Sequence, residues 1–133
     1  MVRRADGVYV YQLAVTVDDG LAGVNQVVRG MDLLSSAPRQ MYLQELFGFP
    51  HPEYAHVPML LAPDGRRLSK RDKDLDLGYL RSHTSAEKLI GVLACSAGLL
   101  DVPIPISAKE LANSFSFDKI RRSAIYLDAK NLF

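Results

Sequence analysis

Five basic side chains fall within the eight positions from Arg66 to Lys73 of the stretch "DGRRLSKRDKD", residues 64–74. Asp64-Gly65 precedes them as a turn signal, and Leu68 is the only apolar residue inside the run. Leu68 can therefore anchor the loop while Lys70 projects from it. A lysine placed so can reach a polyphosphate and neutralise charge that develops during phosphoryl or nucleotidyl transfer. Ser69 adds a hydroxyl or a backbone donor. Basic runs are commonly no more than solvated loops, and at this point both readings stand.

A second candidate is Arg29, at the end of the stretch "NQVVR", which reads as a strand. A guanidinium at a strand end suits a carboxylate or phosphate, which it can grip in bidentate fashion. From spacing alone Arg29 reads first as a surface ion pair with Asp32 or Glu45. Tyr11 reads as a core or interface aromatic, or as a donor to a substrate. His51, His56 and His83 lack metal-ligand spacing, and His56, ahead of Val57-Pro58, reads as a structural hydrogen-bonding residue. The single cysteine, Cys95, excludes an internal disulfide and a cysteine-based zinc site; it reads as a small buried hydrophobe in a helix. Neither a P-loop nor a dinucleotide fingerprint occurs.

The elements that must position these residues alternate. Val8–Val10 reads as strand after the Asp6-Gly7 turn. Gln12–Asp18 is ambiguous: Val-Thr-Val favours a strand, whereas Leu13 and Val17 at i, i+4 allow a helix. Gly23–Gly30 is a glycine-bounded strand. In "SSAPRQMYLQELFG", Ser36 suits an N-cap, Pro38 the first turn and Gly48 the position after the last turn. Tyr42 with Leu46, and Leu43 with Phe47, form its apolar stripe. A short strand around His56–Leu61 ends in the Pro63-Asp64-Gly65 turn and leads into the basic run. "DLGYLRSH" reads as a short helix or turn. Thr84 with Glu87, and Ser107 with Glu110, form capping boxes ahead of two helices; Gly98 ends the first, and Pro103 and Pro105 keep the connecting loop extended. The order predicts α/β structure to about residue 80 and helices thereafter, with ligands beyond the carboxyl ends of the strands. Arg29 and Lys70 are then expected to face one cleft.

The chain has 133 residues, 48% of them apolar and 23% charged, which fits one folded domain rather than a disordered segment. A net charge of +1 supplies no global field, so any nucleic-acid contact must be local. No run has the length of a membrane span and the N-terminus has no secretory apolar region, so the cytoplasm is the expected location and no membrane partner is expected.

Several stretches match one family in order. "YQLAVTVDDGLAGVNQVVRGMDLLSSAPRQMYLQELFG", "YAHVPMLLAPDGRRLSKRDKD" and "LIGVLACSAGL" together resemble the class I glutamyl-tRNA synthetases. "RLSKR", Arg67–Arg71, resembles that class's KMSKS loop. "RRADGVYVYQLAVTVDD" is especially similar to the shorter paralogues, the glutamyl-Q tRNA(Asp) synthetases, which lack an anticodon-binding domain and attach glutamate to a modified base. "ISAKELANSFSFDKI" resembles the start of the family's stem-contact region. The resemblance implies the second half of a Rossmann-like catalytic domain over residues 1–80, followed by a helical stem-contact-like region over 81–133.

It also implies roles. Tyr11 would hydrogen-bond glutamate, and Arg29 would pair with its side-chain carboxylate. Lys70 would be the catalytic residue, contacting ATP phosphates as the glutamate carboxylate attacks the α-phosphorus. Ser69 and Arg67 would share the ATP phosphates, and Met59 and Leu60 would line the adenine pocket. Arg67 stands where the motif usually has lysine, exchanging a point charge for a planar fork. The implied partners are ATP with Mg²⁺, glutamate, and a tRNA for Glu or Asp. The HIGH motif of the family's first half is not in the sequence, so the chain resembles the C-terminal half of the catalytic core and alone is expected to be inactive. The bared half-site implies a homodimer. Two other readings stay open: a non-catalytic module that binds tRNA or a partner through the basic loop and helical tail, and a generic α/β domain with a solvated loop.

Overall fold

The computed structural model describes residues 3–68 and 77–127. Two compact units divide the chain, Met1–His56 and Val57–Phe133.

In the first unit, Asp6-Gly7 makes the expected turn, but the arm after it is no strand. Arg3 and Tyr9 form a single antiparallel bridge, and the Val8 N–H is taken by the Asp6 carboxylate at 3.2 Å. The ambiguous stretch is helical: α1 spans Tyr11–Ala22. Its β-branched residues weigh against a helix by only tenths of a kcal/mol each, and packing against the next helix outweighs them. Phe49 lies over Gly20 of α1, where a methyl group would overlap its ring. Strand β1 (Gln26–Gly30) follows, then a 3₁₀ turn over Met31–Ser36 and helix α2 (Ala37–Phe47). Gly48 takes the left-handed conformation expected after α2, with φ +69°. Ser36 sits at the N-cap but does not cap with its side chain, because the 3₁₀ turn runs straight into α2 and the Leu34 carbonyl receives the Ala37 N–H. Strand β2 (Glu53–Val57) pairs with β1.

The apolar stripe expected on α2 faces the wrong way. Leu43 is buried, but Tyr42, Leu46 and Phe47 are 60%, 62% and 46% exposed. The inward face instead carries Ala37, Gln40, Leu43 and Gln44. A polar pair at i, i+4 thus occupies the positions that the hydrophobic pattern assigned to Tyr42 and Leu46.

In the second unit, strand β3 (Leu60–Leu61) turns through Pro63-Asp64-Gly65, and Leu61 meets Arg67 in an antiparallel bridge. Helix α3 spans Leu77–His83 and α4 Ala86–Ala97. The cap of α4 is Ser85, one residue later than expected; its hydroxyl accepts the Lys88 N–H at 3.2 Å. Gly98, at φ +88°, ends α4. Ser107 and Glu110 form the full capping box of α5 (Ala108–Asn113). Beyond it the chain is not only helical: β4 (Ile125–Tyr126) pairs in parallel with β3, Leu60 opposite Ile125 and Leu61 opposite Tyr126.

The extended loop after α4 lies against Gly91, where an added methyl would overlap the Ile104 carbonyl oxygen. Alanine favours a helix over glycine by about 0.5–1 kcal/mol, whereas overpacking costs about 1–3 kcal/mol. Overlap with backbone should win. Gly91→Ala is therefore expected to lower the urea midpoint of unfolding; an unchanged or raised midpoint would contradict this packing.

Candidate functional site

Arg29 organises the first unit. It lies one residue before the end of β1, half-buried. Tyr54 and His56, at i and i+2 on β2, share one face of the strand, and both meet it. The guanidinium carbon stands 4.8 Å from the Tyr54 ring centroid, a cation–π contact. Arg29 Nε donates to His56 Nε2 at 3.1 Å, Nη1 to Gln40 Oε1 at 2.6 Å, and Nη2 to the Leu33 carbonyl at 3.3 Å. The Tyr54 and His56 rings stack at 16° with centroids 6.3 Å apart, and Gln44 Nε2 donates to the Tyr54 hydroxyl at 3.0 Å.

A second tier of bonds ties α1 to this cluster. Gln40 Nε2 donates to Gln12 Oε1 at 2.8 Å, and Gln12 Nε2 donates to Ser36 Oγ at 2.9 Å. Thr16 Oγ1 donates to the Gln12 carbonyl at 2.8 Å. Gln40 and Thr16 are each 1% exposed, so these are core groups whose hydrogen bonds must be made within the protein.

Among the described residues, every acceptor on Arg29 is neutral: an imidazole nitrogen, an amide oxygen and a backbone carbonyl. A guanidinium has five N–H groups, and these bonds use three of them. A carboxylate about 4 Å away would attract it by about 4 kcal/mol at a near-surface dielectric. Neutral acceptors leave that attraction for an incoming anion while fixing the plane and direction of the fork. The arrangement can receive a carboxylate. The ion pair with Glu45 considered from spacing is not how Arg29 is held; Glu45 lies 3.7 Å from His51.

Tyr11 opens α1 and is exposed, next in sequence to Gln12 and so one residue from the hydrogen-bond chain that ends on Arg29. In the second unit, the Met59 carbonyl accepts the Ile125 N–H at 2.9 Å, and Leu60 lies in β3; both side chains are half-buried. Arg67 is exposed, at the foot of the Pro63-Asp64-Gly65 hairpin. Ser69 and Lys70 lie outside the described residues. Sequence reasoning missed Gln12, Gln40 and Tyr54, and gave His56 only a generic structural role. The available signal was the Gln40/Gln44 pair at helical spacing, which apolar periodicity passes over.

A family model described as tRNA synthetases class I (E and Q), catalytic domain, matches residues 1–89. The chain belongs to that family. The glutamyl-Q tRNA(Asp) synthetase of Symbiobacterium thermophilum is 46% identical to it over 133 residues, which cover 99% of this chain and 41% of that protein. The enzyme of the same name from Geobacter sulfurreducens is 58% identical over 84 residues, 63% of this chain and 27% of that one. Among solved structures, a glutamate tRNA ligase from Elizabethkingia meningosepticum, in complex with its amino acid, aligns with a TM-score of 0.75 at 25% identity, covering 98% of this chain and 30% of that one. This class I synthetase chain therefore has the α/β fold expected and spans less than half the length of these relatives. Among the described residues no helix is long and apolar enough to cross a membrane.

His56 Nε2 accepts from Arg29, so its ring proton sits on Nδ1. Burial, and second the neighbouring Arg29 cation, hold its pKa below the ordinary 6.5. The fold thus prefers the neutral ring. Its contribution is fully present above pH 6.5 and is lost as the pH falls from there through the lower folded-state value. An NMR titration of the His56 ring protons should give a midpoint below 6.5, rising part-way towards it in Arg29→Met because burial remains; a wild-type midpoint at or above 6.5 would contradict the arrangement.

Proposed function

We propose that the chain is part of an ATP-dependent glutamate–tRNA ligase and supplies the KMSKS-like loop and part of the glutamate and ATP pocket. The observation that carries this reading is Arg29, aimed by neutral acceptors with its charge uncompensated by them. Arg29 pairs with the side-chain carboxylate of glutamate and distinguishes it from glutamine, whose amide gives no such charge pairing. Tyr11 hydrogen-bonds the same substrate. An oxygen of the α-carboxylate attacks the α-phosphorus of ATP, pyrophosphate leaves, and glutamyl adenylate forms. Lys70, with Ser69 and Arg67, holds the phosphates and stabilises the charge that builds on them, and Met59 and Leu60 line the adenine pocket. Mg²⁺ that accompanies ATP is bound largely by phosphate oxygens and water; among the described residues no three His, Cys, Asp or Glu side chains gather around an ion site.

In this reading residues 1–80 are the second half of a Rossmann-like nucleotide-binding domain, and 81–133 contact the tRNA stem in the cytoplasm. Identity of 46% and 58% to glutamyl-Q tRNA(Asp) synthetases supports tRNA(Asp) as the acceptor over tRNA(Glu).

The test is a hybrid in which this chain replaces the matching segment of the Symbiobacterium thermophilum protein. It should support glutamate-dependent ATP–pyrophosphate exchange. Lys70→Ala should cut kcat by about 100-fold or more, and Arg29→Ala should raise KM for glutamate with little effect on KM for ATP. Full activity in either variant would overturn the assignment. The 133-residue chain alone should show no exchange, since both halves of the site must be positioned together; exchange by the chain alone would refute its being a part.

The exposed Tyr42 and Leu46 give one face of α2 an apolar surface that would be covered in a homodimer. Sedimentation equilibrium should then return twice the chain mass, and a monomer at high concentration would contradict it.

A further inference from the structure

The donors and acceptors around Arg29 leave no freedom in how their partners are oriented. A guanidinium only donates, so the Gln40 carboxamide must turn its oxygen to Nη1, 2.6 Å away. That places the Gln40 nitrogen at Gln12, which must answer with its own oxygen at 2.8 Å. The Gln12 nitrogen is then left to donate to Ser36 Oγ at 2.9 Å. The direction of every bond follows from the first. Each of these side chains comes from a different stretch of the first unit, Arg29 from β1, Gln40 from α2, Gln12 from α1 and Ser36 from the 3₁₀ turn.

We propose that Gln40 is a positioning residue for substrate recognition, its carboxamide set by Gln12 and Ser36 so that it aims the Arg29 guanidinium without neutralising it. The proposal rests on the reading of Arg29 as the anchor for the glutamate side chain. The identity of residue 40 is the critical choice. A glutamate there would have nearly the same shape and would still accept from Nη1, but it would place a resident carboxylate on the cation and compete with the substrate for its charge. A methionine would fill similar space and give Arg29 no comparable acceptor.

The same chemistry separates a relay from ordinary packing at position 12. A packing role tolerates Gln12→Met better than Gln12→Glu, because the latter adds a charge to a half-buried site. The relay predicts the reverse. Glutamate at 12 still accepts from Gln40 Nε2, and the Ser36 hydroxyl can rotate to donate to it, whereas methionine offers Gln40 only a weak sulfur acceptor.

The experiment uses the hybrid described above, in which this chain replaces the matching segment of the Symbiobacterium thermophilum protein, labelled with ¹⁵N at arginine. It follows the Arg29 Nε–H and Nη signals by NMR during titration with L-glutamate and L-glutamine, with the backbone amide spectrum as the check on folding. In the wild type the Nη signals should be separate, as expected of a guanidinium held against rotation, and glutamate should shift them more than glutamine does. Gln40→Met and Gln12→Met should merge the Nη signals, and Gln12→Glu should keep them separate. Gln40→Glu should also keep them separate, yet weaken the glutamate response at least tenfold and erase the preference over glutamine. Wild-type-like signals in both methionine variants, or undiminished glutamate binding by a folded Gln40→Glu hybrid, would overturn the proposal. Locked signals that merge in Gln40→Met but do not respond to glutamate in the wild type would uphold the relay and overturn the substrate reading.

Discussion

A cation held by neutral groups is the constraint on which the first unit depends. Arg29 can satisfy its N–H groups only with acceptors, and the fold supplies an imidazole, an amide oxygen and a main-chain carbonyl in three directions, with an aromatic face above the plane. Hydrogen bonds to a charged group contribute roughly 1.5–3 kcal/mol each, so the cluster is a major tie between β1, β2 and α2. These partners also leave the charge of Arg29 uncancelled, as a salt bridge would not.

That constraint explains the inverted helix. Leucine or tyrosine on the inward face of α2 would bury apolar area at about 25 cal/mol per Å², but would leave the half-buried Arg29 short of an acceptor. Gln40 meets the need, and both ends of its buried carboxamide are bonded. The need is passed to Gln12 on α1 and then to Ser36. A polar core formed to serve one guanidinium thus leaves Tyr42 and Leu46 at the surface.

What the sequence disclosed divides by range. Several signals read within one turn of helix held: Gly48 and Gly98 end their helices in the left-handed conformation, and Ser107 with Glu110 closes a full capping box. The cap of α4 shifted by one residue, from Thr84 to Ser85, because two adjacent hydroxyl residues offer the same chemistry and only the backbone decides between them. Where the outcome depended on distant partners, local reading failed. The Val-Thr-Val segment became helix by packing on α2, and β4 was missed because its pairing with Leu60 and Leu61 joins residues far apart in sequence. Arg29 was picked out as a candidate carboxylate anchor, but its attendants, 27 residues away at His56 and 11 at Gln40, were not. The ordered match of several motifs was the most informative signal, and it pointed to the family that the chain belongs to.

The central claim is that Arg29 is fixed in advance to receive the side-chain carboxylate of glutamate. The most direct measurement is a crystal structure, grown with L-glutamate, of the hybrid that carries this chain in the Symbiobacterium thermophilum protein. The account predicts both carboxylate oxygens about 2.7–2.9 Å from Arg29 N–H groups, with the bonds to His56, Gln40 and Leu33 still in place. A glutamate whose side chain binds elsewhere, or an Arg29 that abandons those three partners to reach it, would contradict the account.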